Sequence, residues 1–529
     1  MSTAAPLPGD TSQAIPITNE TSKSRVTLRQ DKIANVLAGQ TVFVFFGYMF
    51  TFAVGLPLQI YVARHLGPTN LGVFSLLEAT FGVVSGLLAF GLAPMVVKFI
   101  PQHLTRGEHT SIRRLVFRGA IILLGAGLGA VLLTALALQL GVPAWIGAEV
   151  PSPLVLLMSL LVPLGLLNFF LQQGLRGFLD LRYVVLGGSV LQLSLKAAAA
   201  VILIHFGFGL LGWVWATILA VAGAVLWMAK GLWHKCAELP ADAPDTRASH
   251  DLEWRSFALV QYTGSLVGIG SSFADRFLLG WVAGAAVVGT YAVVAQLQGI
   301  PRMLLNMLLS VATPMLSSAN AGDDRVRRQH IYHLTTDWSV RCALPLMIFL
   351  ALFADSILFL YGPEFMERGH LALLIAIVTQ TINLFVGPIG AVLTMSGQEK
   401  PMLRLYVYQQ VIALSTLVIF VPPFGIVGVV LSQACATVFI NFAELALARK
   451  RIGSQWWDAR YRLWLLPSLV TLAAGALMRQ LIGPDGAPLL LIASLVSLAF
   501  LFHVTSLLQG LHEDDRDLLQ WVYARLGWA

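Results

Sequence analysis

The sequence predicts an all-α polytopic membrane protein of about fourteen transmembrane helices, arranged as two six-helix bundles and a C-terminal pair. Three observations carry this expectation. Fourteen apolar stretches of near-spanning length fill the chain from Thr41 to Leu508, and a hydrocarbon core of about 30 Å needs about 20 apolar residues of helix. The chain is 57% hydrophobic and only 12% charged, with a mean hydropathy of +0.77, far from the roughly 25% charge of a soluble domain. Lysine and arginine fall almost wholly into alternate gaps between the stretches, the pattern that cytoplasmic loops impose.

The elements follow in order. Residues 1–20 are polar, without the look of a cleaved signal peptide, and read as a disordered tail. Residues 24–37 carry Arg25, Arg29 and Lys32 among apolar side chains and read as a short interfacial helix, so that 1–37 forms a cytoplasmic N-terminal unit. The first bundle, 38–232, takes spans at 41–62, 76–97, 115–138, 154–171, 184–204 and 209–228. A linker at 233–255, rich in Ala, Asp, Pro and His, separates it from the second bundle. That bundle, 256–450, takes spans at 256–279, 287–309, 339–360, 371–393, 405–421 and 426–447. A C-terminal pair at 463–481 and 489–508 lies within 451–510, and 511–529 forms a cytoplasmic tail. The 47 glycines and 24 prolines, many inside apolar runs, suit packed and bendable membrane helices.

With the N-terminus inside the cell, 28 of the 34 lysines and arginines fall in inside segments and four in outside gaps. The remaining two, Lys196 and Arg302, fall within spans. This bias places both termini in the cytoplasm, and it explains the net charge of +7 without any nucleic-acid partner. The outside gaps are too short for a loop carrying catalytic groups. There is no G-x-x-x-x-G-K-[ST] phosphate loop, no metal-spaced His/Glu set and no G-x-S-x-G elbow, so neither an enzyme nor a metal or cofactor is expected. Cys236, Cys342 and Cys435 lie far apart and form no disulfide framework.

A repeat divides the chain. Span one ends in Arg64-His-Leu-Gly67-Pro-Thr-Asn-Leu-Gly72-Val-Phe74, and span seven in Asp275-Arg276-Phe-Leu-Leu-Gly280 followed by Val288-Gly289-Thr-Tyr291. In each, a span-terminal arginine precedes a glycine-containing turn, and Gly-x-[Phe/Tyr] opens the next helix. Six spans separate the copies, so the halves run in the same direction. These motifs, with Gly91-Leu-Ala-Pro94, Pro314, Leu360-Tyr-Gly362-Pro-Glu-Phe365 and Leu393-x-x-x-Gly397-x-x-Lys400, resemble the polysaccharide biosynthesis flippases of the Wzx type. That family belongs to the multidrug/oligosaccharidyl-lipid/polysaccharide exporter superfamily. The resemblance covers about residues 32–450; the commoner member has twelve spans, so the last pair departs from it.

The resemblance implies a V-shaped, two-lobed exporter in a bacterial inner membrane, moving an undecaprenyl-pyrophosphate-linked oligosaccharide for O-antigen, capsule or exopolysaccharide by alternating access. It implies that lipid-linked substrate and membrane lipids as partners, with H+ or Na+ as a coupling ion and a polysaccharide polymerase as further candidates. Two alternatives stand beside it: a drug or cation antiporter of the same superfamily, which would favour acids in its cavity, and a lipid II flippase, similar to a fourteen-span relative but richer in cavity cations.

Charge within a span is costly, at least about 2.5–3.5 kcal/mol at the bilayer centre, and ordinarily faces a cavity or a partner. Lys196 and Arg302, near mid-depth and one per half, either line a cavity and attract the pyrophosphate or serve as structural, snorkelling cations. Arg64, Glu78, Asp275 and Arg276 sit at outer span ends and are candidates for an outer gate, with Asp275 expected to reach Arg64; ordinary interfacial charge is the other reading. Gly299 and Pro301 favour a bend beside Arg302, and Gly387-Pro388 marks a kink in span ten. The tryptophans at 145, 213, 215, 233, 456 and 457 mostly fit interfacial belts.

Overall fold

The computed structural model describes residues 20–140, 150–240, 251–321, 324–482, 487–510 and 515–516. All regular structure among them is helical. The first half comprises α1 (Glu20–Leu88), α2 (Leu92–Arg106), α3 (His109–Gln139), α4 (Ser152–Ser159), α5 (Leu161–Gly177), α6 (Leu181–Val184), α7 (Gln192–His205) and α8 (Gly209–Ala237). A π-helical turn, Val185–Leu191, joins α6 to α7. The second half comprises α9 (Asp251–Ala283), α10 (Ala285–Ala321), α11 (Arg325–Leu352), α12 (Ala354–Tyr361), α13 (Pro363–Val386), α14 (Ile389–Met395), α15 (Glu399–Phe424) and α16 (Ile426–Ile452). A 3-10 turn, Ala459–Trp464, then leads into the pair α17 (Leu465–Ile482) and α18 (Pro488–Leu508).

Twelve helices among the described residues are long and apolar enough to cross a membrane. The expected fourteen differ from this count for two reasons. Spans one and two run into the single helix α1, which kinks at Gly67 (φ 70°, ψ 172°) but resumes at once through Pro68. Proline suits a first helical turn because it has no amide hydrogen to leave unpaired. Span seven falls in α9, some of whose side chains lie outside the described residues. The interfacial segment expected at 24–37 is not set off from span one, since α1 is continuous from Glu20.

Several spans are interrupted. Span two breaks between α1 and α2, where Phe90 and Gly91 adopt positive φ (47° and 67°). Span nine breaks at Phe353, and span ten at Gly387 (φ 69°) and Pro388. By contrast, α10 remains helical through Gly299, Pro301 and Arg302. No residue of positive φ breaks the helix there, so any bend beside Arg302 is carried within a continuous helix.

The C-terminal pair is tied to the second half near both of its ends. At one end Arg479 of α17 donates to Asp355 (2.9 Å) and Ser356 (3.2 Å). At the other, Asp337 of α11, 1% exposed, accepts from Arg341 (2.9 Å) and from Trp464 Nε1 (2.7 Å). Arg341 also reaches Asp515 beyond α18 (2.7 Å). Between these ends Gly475 admits Leu352 and Leu498.

Candidate functional site

The two halves meet most closely where the repeat places its two glycines. A Cβ added at Gly72 would lie 1.7 Å from the carbonyl oxygen of Ala285, and one at Gly289 would lie 2.0 Å from that of Pro68. Each is also within 3.0 Å of the other glycine's amide nitrogen. The geometry is reciprocal: the residue four before each glycine supplies the carbonyl that the other glycine faces. Only a residue without a side chain permits such backbone contact, so this crossing closes the Arg64 end of the interface between the halves.

Just beyond the crossing lies a chain of charge. Arg276 Nη1 of α9 is 3.8 Å from Glu78 Oε2 of α1. Lys196 Nζ of α7 sits 4.2 Å over the ring of Trp213, with the Glu78 carboxylate close enough to act on its charge. Trp213 is 2% exposed and its ring packs 5.8 Å from that of Phe74, so it is an internal platform and no part of an interfacial belt. Lys196 lies nine residues before the end of α7, about 13 Å at 1.5 Å per residue, and its ammonium leans further toward the Arg64 end. Its Cα is thus near the middle of the span, with the ammonium drawn to Trp213 near the start of α8.

Arg302 stands apart from this group. It is exposed on α10, and no ion pair involves it among the described residues. Asp275 does not reach Arg64. Its carboxylate accepts from Tyr291 Oη and from Arg276 N (2.8 Å), while Gln433 Nε2 of α16 donates to Tyr291 Oη (2.7 Å). Arg64 instead donates to the carbonyl of Phe359 (3.3 Å). Asp275 and Arg276 are adjacent and point about 100° apart on a helix; it is Arg276 that faces the first half, and Asp275 is held within its own. Cysteines replacing Glu78 and Arg276 should therefore crosslink readily, whereas the Arg64→Cys, Asp275→Cys pair should not. The reverse pattern on a denaturing gel would contradict this arrangement.

At the cation-rich end the same flank is closed again. Gly91 lets α9 approach so near that a Cβ would lie 2.1 Å from the Ala258 carbonyl oxygen. Tyr262 Oη donates to the Leu87 carbonyl (2.7 Å). Lys98 Nζ lies 4.0 Å over the ring of Phe257, which meets Phe99 edge-on at 5.7 Å. Trp254 Nε1 donates to Nε2 of the buried His103 (3.2 Å), whose Nδ1 faces Glu108 (2.5 Å). None of these contacts of α9 with α2 and with the end of α1 was legible in the sequence, because hydropathy reports depth in the bilayer and not which helices face one another. Among the described residues no group of three or more His, Cys, Asp or Glu side chains could hold a metal ion.

Helices of spanning length, a repeat that closes on itself and cations between its halves define a membrane exporter built from two like bundles. The sequence profile described as polysaccharide biosynthesis protein matches residues 37–320, and that described as MatE matches 264–441. The chain belongs to the polysaccharide biosynthesis protein family, the flippase branch of the multidrug/oligosaccharidyl-lipid/polysaccharide exporter superfamily. It is 22% identical over 383 residues to the probable low-salt glycan biosynthesis flippase Agl15 of Haloferax volcanii, covering 71% of this chain and 75% of that protein. The fold is similar to an inward-facing multidrug resistance MATE family transporter, with a TM-score of 0.63, 19% identity, and coverage of 76% of this chain and 94% of the other. It is equally similar to the lipid II flippase MurJ in an inward closed conformation, with a TM-score of 0.63, 14% identity, and coverage of 91% and 99%.

Proposed function

We infer that the protein moves an undecaprenyl-pyrophosphate-linked oligosaccharide from the cytoplasmic to the outer leaflet of a bacterial inner membrane, with both termini cytoplasmic. The observation that carries this reading is Arg276 of α9 set against Glu78 of α1 across the halves, with Lys196 on α7 over Trp213 and Arg302 exposed on α10, in a chain of the polysaccharide biosynthesis family. Cations there suit a diphosphate and disfavour the cationic drug of an antiporter. Glu78 pairs with Arg276 and offsets part of the charge of Arg276 and Lys196, leaving a net positive site. An arriving diphosphate competes with it for both, and so loosens the Glu78–Arg276 pair that bridges the halves.

Closure at Gly72–Gly289 and closure between α2 and α9 are then broken and remade in turn as the halves rock. The lipid tail stays in the bilayer, against apolar surface such as the exposed Phe46, Tyr48 and Met49 of α1. The test is export of surface glycan in a strain relying on this protein. Lys196→Ala and Arg302→Ala should each lower it at least about tenfold at unchanged membrane protein level, since one charge-assisted contact is worth about 1.5–3 kcal/mol. Arg302→Lys should also fail, because an ammonium does not reproduce a bidentate guanidinium contact. Normal export in both alanine variants discards the reading.

A further inference from the structure

Where α16 turns into α17, two cavities share a wall. One, of about 650 Å³, is polar and is lined by Arg325, Arg328, Gln329 and His333 of α11 and by the turn after α16. The other, of about 660 Å³, is an apolar groove lined by Phe385 and Val386 of α13 and Phe442 and Leu445 of α16, with Arg449 at its rim. Ser454, Gln455 and Trp457 belong to both. Gln329 holds this wall in place: its Oε1 accepts from Ser454 Oγ (2.6 Å) and from Gln455 N (3.3 Å).

The polar cavity has surplus positive charge. Arg328 is 6% exposed, and its guanidinium donates to Asn320 Oδ1 (3.1 Å) but meets no carboxylate among the described residues; nor does Arg325. The cavity's one acid, Asp458, is already engaged by Arg460 through its Nε (3.2 Å) and its backbone N–H (2.9 Å). A buried guanidinium without an anion is unfavourable enough that an anionic occupant is the natural complement. The adjoining groove says what else the occupant carries. It is apolar, it lies at the membrane boundary beside the half-exposed Trp456 and Trp457, and it is separated from the arginines only by the shared wall. A soluble anion would leave it empty.

We propose that this paired cavity is a resident binding site for an anionic phospholipid, with the headgroup phosphate on Arg325 and Arg328 and an acyl chain in the groove beside Trp457. The site is distinct from the interface between the halves. The test uses the full-length protein in phosphatidylcholine nanodiscs doped with brominated-chain phosphatidylglycerol or brominated-chain phosphatidylcholine. Tryptophan quenching is compared with that of a Trp456→Phe, Trp457→Phe variant, to isolate the two local rings. Quenching of this pair should reach half-maximum at a severalfold lower fraction of phosphatidylglycerol than of phosphatidylcholine. Each of Arg325→Gln and Arg328→Gln should shrink the difference roughly fivefold, the factor for about 1 kcal/mol per cation at an anionic surface. Equal quenching by the two lipids in the unsubstituted protein overturns the proposal. That comparison needs no variant of the arginines, so it decides even if those variants fail to insert.

Discussion

Replacing Gly72 with leucine should reduce glycan export by one to two orders of magnitude while the protein still reaches the membrane. Even the Cβ would overlap the Ala285 carbonyl oxygen at 1.7 Å, and the clashing atom is backbone, so no rotamer change relieves it. The helices must part, and overpacking of this kind costs about 1–3 kcal/mol or more, charged entirely to the state in which this end is closed. At about 1.4 kcal/mol per factor of ten, the closed state becomes a minor species. Gly289→Leu should act alike, and the double variant should cost less than the two effects added, because one separation relieves both clashes. Gly129→Ala serves as the control, since nothing lies within 4 Å of its added Cβ. A cysteine at Glu78, beyond the crossing, should label faster from the Arg64 side in the Gly72→Leu background. Unchanged labelling together with normal export would show that this contact is dispensable.

The second large effect is on stability. Asp337→Ala removes a carboxylate that is 1% exposed and accepts from both Arg341 and Trp464. The substitution leaves the buried Trp464 N–H without an acceptor, which costs about 1–3 kcal/mol, and removes one of the two carboxylates on Arg341. Arg341 keeps Asp515, so its charge is not stranded. The loss therefore falls on the junction between α11 and the turn before α17. The variant should unfold at lower denaturant or temperature in detergent, and the segment around Trp464 should become protease-sensitive first. Disruption at the other tie, Arg479→Ala, should cost less, because Arg479 and Asp355 are both partly exposed and such pairs contribute about 0–1 kcal/mol. Equal sensitivity of the two variants would contradict this ranking.

Helical class, membrane placement and the repeat were legible because each depends on local pattern: apolar length, cation position, and a glycine turn recurring after the first span of each half. The breaks were legible only in part. Gly387-Pro388 announces itself, since proline removes a helical donor and the preceding residue is pushed out of the helical region. The break at Phe90-Gly91 does not, because Gly91 is required by the approach of α9, a contact between distant segments. Trp213 shows the same limit. Its sequence position near a helix end suits a belt, whereas Lys196 and Phe74 make it internal. The choice of Arg276 over Asp275 as the residue facing the first half is a matter of helix phase set by tertiary packing, and adjacent residues in one sequence carry no signal for it.

Gly72 and Gly289 touch as the same position in two copies of one unit, with Pro68 and Ala285 in matching places. Such a contact is self-complementary in the manner of a two-fold interface between identical subunits. A half-length chain pairing in parallel with a second copy of itself would already close this end, with no fused partner and no divergence. In the joined chain the two positions can drift apart in every respect but size, and a gain of volume on one side cannot be offset on the other, which has no side chain left to lose.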